Sequence, residues 1–203
     1  ITANPNLPEA HAYYSHLLCI LRRNDEARKH IEMALILDPY NSLIQSLASQ
    51  VYIVLKEYDT AIGLAKKALI TSPGDLVASN GLYSSYFLSG QFDKGLDGFK
   101  LFFSGFPGFS AAIDSGYQKS GFQGALVAGR ELLQKLSSEG TFVNPTFFVD
   151  FYYYTGEQEK SIEWMEKGYD IHDQNMPYFS TTILDPLRKY PRFMELLKKM
   201  NLP

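Results

Sequence analysis

The feature that most constrains this chain is a set of residues that recur every 34 positions. Pro39, Pro73 and Pro107 form one column, and Asp25, Asp59 and Asp93 form a second. Ala27, Ala61 and Gly95 form a third, while Ala34 and Ala68 begin a fourth that is broken at Phe102. Each column has a physical role. Proline has no N–H to donate and pushes the residue before it out of helical geometry. Asp38, Ser72 and Phe106 are therefore expected to end helices. Two helices approach to about 8–10 Å only where small side chains meet, which assigns Ala27, Ala61 and Gly95 to a helix–helix contact. A carboxylate suits the start of a helix, where free N–H groups need acceptors, so Asp25, Asp59 and Asp93 are expected to open a second helix. Each period then reads as helix, turn, helix, stop.

Apolar spacing agrees with this division. Ala10, Tyr14, Leu17, Leu18 and Leu21 recur at helical intervals, as do Ala27, Ile31, Ala34 and Leu35. Leu43, Leu47, Val51 and Leu55 repeat the first set, and Ala61, Ile62, Ala65, Ala68 and Leu69 the second. The period and residue types together resemble the tetratricopeptide repeat, whose period is about 34. In that register the units are 8–41, 42–75 and 76–109, preceded by a lead-in at 1–7. Leu18, Tyr52 and Tyr86 take the large position of the first helix, and Ile31, Ala65 and Phe99 the bulky position of the second. The Trp usual in the first helix is replaced by His11, Gln45 and Ser79. The resemblance implies an all-α fold, an α–α superhelix (a solenoid) of about five helical pairs with a C-terminal helical cap.

The later units change character. Ten of the fifteen glycines lie between Gly81 and Gly129, where each helical glycine costs roughly 0.5–1 kcal/mol relative to Ala. The fourth unit, 110–140, loses the register: a first helix ends near Ser120, and a second runs from Phe122 to Ser137. A fifth returns at 141–173, opened by Asn144-Pro145, turned at Gly156, with Ser161, Met165 and Gly168 as small, bulky and small positions. Residues 174–203 read as capping helices, with Lys189, Arg192, Lys198 and Lys199 as the polar outer face such a cap needs. The segments "NPNLPEAHAYYSHLL", "SIEWMEKGYD" and "DPLRKYPRFMELLKKMNLP" resemble the repeat regions of bacterial multidomain regulators. There, repeats follow a winged helix, a nucleotide cyclase or a kinase domain. Together with the opening at Ile1 rather than Met, this reads as an excised piece of a longer protein.

Composition narrows the function. With 45% apolar and 20% charged residues among 203, the chain has enough apolar material for a core. A net charge of −3 argues against nucleic acid as a partner of this segment. The one cysteine, Cys19, allows no internal disulfide. No apolar run reaches the ~18 residues of a membrane span, and no signal peptide is visible. The expected compartment is the cytoplasm, or the periplasm if the parent protein has a span upstream.

No catalytic constellation is legible, and no cofactor or metal is expected. His11 and His16 are not stacked on one helix face, and neither HExxH nor paired cysteines occur. Gly116 and Gly121 have a P-loop gap, but Phe122 and Gln123 stand where the cation and hydroxyl are needed. Glu157, Glu159, Glu163 and Glu166, beside Lys160 and Lys167, read as a solvated helix face. Cys19 reads as a small buried hydrophobe.

The candidate site is a groove along the first helix of each pair. Its expected residues are Glu9, Ala12, His16 and Cys19, then Leu43, Ser46, Gln50 and Ile53, then Val77, Asn80, Ser84 and Phe87. Ala12, His16, Leu47, Val77 and Gly81 replace the Lys, Asn and Arg with which related repeats hold a peptide carboxylate, so that clamp is not expected. Two aromatic clusters stand out: Phe99, Phe102, Phe103, Phe106 and Phe109, and Phe147, Phe148, Phe151 with Tyr152, Tyr153 and Tyr154. The second set circles its helix and should be buried beneath 174–203, unless Tyr152, Tyr153 and Tyr154 form a dimer interface. The expected function is a non-catalytic protein–protein interaction or regulatory module with a protein or peptide partner. The alternative is homodimerisation that pairs attached effector domains. The missing constellation argues against an enzyme.

Overall fold

The computed structural model describes residues 4–203 and is all-α, with no strand among them. The first three positions of the expected lead-in lie outside the described residues. No helix among those described is long and apolar enough to cross a membrane. The chain divides into two compact units.

The first unit holds the chain through Phe102 together with Ser180–Asp185 and Leu202–Pro203. It is built from three helical hairpins: α1 (Pro8–Ile20) with α2 (Asn24–Leu37), α3 (Ser42–Val54) with α4 (Tyr58–Thr71), and α5 (Leu76–Leu88) with α6 (Phe92–Phe102). Consecutive hairpins stack, α1 and α2 against α3, then α3 and α4 against α5. The small-residue column is fully buried at Ala27 and Ala61. At Gly95 an added Cβ would collide with the Phe87 ring, so only glycine admits that ring.

One turn closes every hairpin. Arg22, Lys56 and Gly90 adopt left-handed backbone geometry, with φ of 59°, 63° and 75°. The N–H after each reaches back to the carbonyl five residues earlier: Arg23 to Leu18 at 2.8 Å, Glu57 to Tyr52 at 2.9 Å, Gln91 to Tyr86 at 2.8 Å. This bond satisfies a carbonyl that the helix end leaves open. It forms a further 34-residue column that the residue types conceal, since two of its three members carry side chains.

The aspartate column acts differently from the sequence expectation. The residues ahead of α2 and α4 are Arg23 and Glu57, and neither makes a side-chain cap bond. Asp25 and Asp59 sit inside the first turn, where they favour the helix dipole. Side-chain caps occur instead on α3 and α5, the first helices of the second and third hairpins. Asn41 accepts from the N–H groups of Leu43 and Ile44, and Asp75 from those of Val77 and Ala78. The prolines end two hairpins as expected, with Asp38 and Ser72 as C-caps of α2 and α4. The third helix pair stops earlier, at Phe102 rather than Phe106, and Phe106 N–H then closes a turn onto Phe103 O at 3.0 Å.

The second unit comprises Phe103–Phe179 and Pro186–Asn201. Its α7 (Phe109–Ser138) is broken where Ser120 (φ −150°) and Gly121 (φ 59°) leave helical geometry. The two halves fold back until Gly116 and Gly124 touch; a Cβ on either would strike the other's carbonyl oxygen. Next come α8 (Phe147–Tyr154) and α9 (Gln158–Asp170), turned at Gly156 (φ 82°) with the same reach-back bond, Glu157 N–H to Tyr152 O at 2.8 Å. Ser161 ties the pair by donating to Val149 O at 3.0 Å. The 3₁₀ stretches Met176–Ser180 and Thr182–Lys189 and α10 (Pro191–Lys199) complete the chain.

Candidate functional site

The expected groove row belongs to the first helices of the hairpins, and stacking closes much of it. Ala12, His16, Cys19, Ser46, Ile53 and Phe87 are buried, whereas Glu9, Gln50, Asn80 and Ser84 are half-buried. The expectation of an open row is therefore corrected at the first six. Their side chains are used between hairpins. His16 Nε2–H donates to Leu47 O at 2.9 Å, and burial pushes its imidazole below the ordinary histidine range. The Ser46 hydroxyl lies 2.6 Å from an Asp75 carboxylate oxygen. Ile53 joins the apolar core. Phe87 packs its ring against Tyr83 and Phe99, centroids 5.5 Å away in both cases. Cys19 is 2% exposed, and burial raises its thiol to about 12, far from a reactive thiolate.

Two of these half-buried residues, Gln50 and Asn80, are joined in a polar row. The Gln50 amide donates to Val77 O at 2.9 Å and to Asn80 Oδ1 at 3.1 Å. Asn80 Nδ2 in turn donates to the Tyr83 hydroxyl at 2.6 Å. This chain spans α3 and α5 and locks the Asn80 amide in place while leaving both amides partly open to solvent. Leu43 and Val77, also expected on this row, are exposed at the first turns of their helices.

One set of contacts in the first unit comes from a remote stretch of sequence. Ser180–Asp185 crosses the ends of successive first helices. Ser180 Oγ–H donates to Ile20 O at 2.6 Å, and Thr182 Oγ1–H donates to Val54 O at 2.7 Å. Ile20 and Val54 are the last residues of α1 and α3. Arg22 ties down both ends of this strap, donating to Ser180 O at 3.0 Å and gripping the Asp185 carboxylate through both terminal nitrogens, at 2.7 and 3.1 Å. Ile183 packs against the apolar core. Sequence reasoning missed this set because no local pattern ties residue 182 to residue 54.

In the second unit, Tyr152, Tyr153 and Tyr154 do not act together. Tyr152 is 6% exposed, with the Arg130 guanidinium 4.5 Å over its ring and Gln134 donating to its hydroxyl at 3.0 Å. Tyr153 and Tyr154 are half-buried, their rings edge to face with centroids 5.2 Å apart. The neighbouring Phe148 stacks on Trp164 of α9 at 4.1 Å, and Phe151 faces Phe103 at 5.5 Å. Glu157 closes the turn below, and its carboxyl is held down to about 2 by hydrogen bonds from Lys160 and Arg130. An open cleft of about 490 Å³ lies between the halves of α7, lined by Gly116, Gly124 and Leu132 together with Lys119, Glu131 and Lys135.

Among the described residues, no group of three or more His, Cys, Asp or Glu side chains converges on one point. His11 and His30 do meet, Nδ1 to Nδ1 at 2.8 Å. The other nitrogen of His11 lies 2.9 Å from Pro5 O, which can only accept. His11 therefore carries its proton on Nε2 and accepts on Nδ1 from His30. The analogous Gln45 also donates to a proline carbonyl, Pro39 O, at 2.8 Å. The His11–His30 pair thus belongs to hairpin packing. Comparison with models of known protein families finds no match, and a search of curated proteins finds none either.

Proposed function

We propose that this chain is a tetratricopeptide-type interaction module, a non-catalytic scaffold that binds a protein or peptide partner as part of a larger bacterial signalling or transcription regulator. The observation that carries the reading is the half-open pair Gln50 and Asn80, held from beneath by the buried Tyr83 hydroxyl, which fixes amide donors and acceptors across two stacked hairpins. Pre-ordered side-chain amides lose little entropy when an extended backbone pairs with them. Glu9 and Ser84 extend the same row with a carboxylate and a hydroxyl. The turn shared by the hairpins and the 34-residue columns support the repeat assignment. A peptide array probed with the 203-residue chain tests it. Peptides bound by the parent protein should lose roughly tenfold in affinity to Asn80→Ala, the cost of one good hydrogen bond to a held group. Binding that ignores both Asn80→Ala and Ser84→Ala would remove the row from the reading.

A second reading, pairing of two copies, is favoured by the partly open Tyr153–Tyr154 edge. Sedimentation of the parent and Tyr153→Ala at several concentrations decides it, since a strict monomer rules it out.

A further inference from the structure

His11 and His30 present their Nδ1 atoms to each other at 2.8 Å, with ring centroids 5.0 Å apart and ring planes 28° from parallel. The two nitrogens thus lie between the rings, edge to edge. His11 is held in this pose. Its Nε2–H is committed to Pro5 O at 2.9 Å, which leaves the Nδ1 lone pair directed at His30. Metal-binding imidazoles are oriented in the same way, one nitrogen donating to a carbonyl and the other free to ligate. Hairpin packing alone does not call for two imidazoles here. One repeat later the same positions are Gln45 and Leu64, and Gln45 makes the matching bond to Pro39 O while Leu64 packs against the apolar core. His30 is half-buried, its ring edge to face with Tyr14 at 4.7 Å, so solvent reaches the pair through this ring. Glu26, one turn before His30 on α2, places negative charge beside it, while its carboxylate also holds Arg23.

We propose that Nδ1 of His11 and Nδ1 of His30 together bind a divalent transition-metal ion that prefers imidazole, such as Zn²⁺, with water completing its shell. This goes beyond the interaction reading and stands without the Gln50–Asn80 row. Two imidazole nitrogens at about 2.0–2.1 Å from a tetrahedral ion sit about 3.3 Å apart, so the rings part by only about 0.5 Å to admit it. The proton on His30 Nδ1 passes through water to its Nε2. Both rings stay neutral, and no net proton is released. The ion replaces one shared proton with two coordinate bonds and ties α1 to α2 across the first hairpin. Binding weakens as the pH falls and protons compete for the same nitrogens.

The test titrates Zn²⁺ into the metal-free 203-residue chain and follows the histidine rings by NMR. The ring signals of His11 and His30 should move and those of His16 and His172 stay, while Mg²⁺, which prefers oxygen ligands, should move none. Zn²⁺ should also raise the melting temperature, since the folded chain alone brings the two rings together. His11→Gln and His30→Leu carry the side chains that the next repeat has at these positions, so both should fold, as circular dichroism checks. Each should weaken Zn²⁺ binding at least roughly tenfold. If one variant fails to fold, the other supplies the comparison, and the ring signals of the parent need neither. Zn²⁺ that leaves both rings unmoved, that shifts His16 or His172 in their place, or that binds both variants as tightly as the parent overturns the proposal.

Discussion

His16 and Gln50 stand one repeat apart, and each donates a side-chain N–H to a main-chain carbonyl of the next first helix, Leu47 in one case and Val77 in the other. The histidine does this as a neutral group in a buried place. Burial lowers its pKa from 6.5, so the unfolded chain takes up a proton at a higher pH than the folded one. Stability from this group is intact above pH 6.5 and falls as the pH drops from there towards the folded value. His30 shifts in the same direction, through burial and its neighbour His11. His16→Gln should retain the bond in the manner of Gln50 and flatten this acid-side loss, while His16→Ala should cost about 1–3 kcal/mol by removing the bond to Leu47 O and emptying a buried place. Urea unfolding on both sides of pH 6.5 separates the three proteins.

Leu17 and Val51 share a register position but not an environment. Leu17 is 48% exposed on α1, and Val51 is 1% exposed where α3 meets the hairpin before it. Leu17→Asp should therefore shift stability by no more than about 0.5 kcal/mol. Val51→Asp should cost about 3 kcal/mol or more, since it buries an unpaired charge in a packed contact. Denaturant midpoints of the two variants make the comparison, and equal losses would contradict the stacking of α1 on α3.

Glu157 links three partners at one turn: Arg130 at 2.6 Å, Lys160 at 2.5 Å and the Thr155 hydroxyl at 3.2 Å. Its carboxyl is depressed from 4.5 to about 2, so its contribution is present above pH 4.5 and disappears as the pH falls towards 2. Glu157→Gln should lower stability at neutral pH by up to about 1 kcal/mol, the range for a partly solvated ion pair. It should also make acid unfolding less steep in that window. Acid titration followed by circular dichroism gives both quantities.

Two glycines should respond oppositely to alanine. At Gly116 an added Cβ would strike the main chain of Gly124, which cannot yield without opening the α7 hairpin. Gly116→Ala should cost roughly 1–3 kcal/mol, as overpacking does. Gly63 lies inside α4 with nothing within 4 Å of an added Cβ. Gly63→Ala should raise stability by roughly 0.4–1 kcal/mol through the unfolded chain's lost freedom. Thermal melts of the two variants test the packing of α7 at Gly116 and the open surface of α4 at Gly63.

The helices were legible because proline and small-residue positions act through sterics, which the sequence states directly. Pro39 and Pro73 end α2 and α4, and Ala27 and Ala61 are fully buried at the contacts their size suggested. The turn column was hidden because Arg22 and Lys56 accept left-handed geometry that sequence reading grants to glycine. The caps were misassigned because a carboxylate near a helix start can sit in the first turn, as Asp25 does, or ahead of it, as Asp75 does. The groove row was harder still. Helical spacing gives the direction of Ala12, Ser46 and Phe87, but their burial depends on how closely the hairpins stack. The strap was beyond reach, since Thr182 meets Val54 across 128 positions.

That distance has a consequence for the order of events during synthesis. Each hairpin of the first unit closes through bonds among residues close in sequence, and can take shape soon after it leaves the ribosome. The last hydroxyls at the ends of α1 and α3 arrive only when residues 180 and 182 have been made. Until then the carbonyls of Ile20 and Val54 lack these two partners, so the first unit gains its final bonds only after all three of its hairpins have been made.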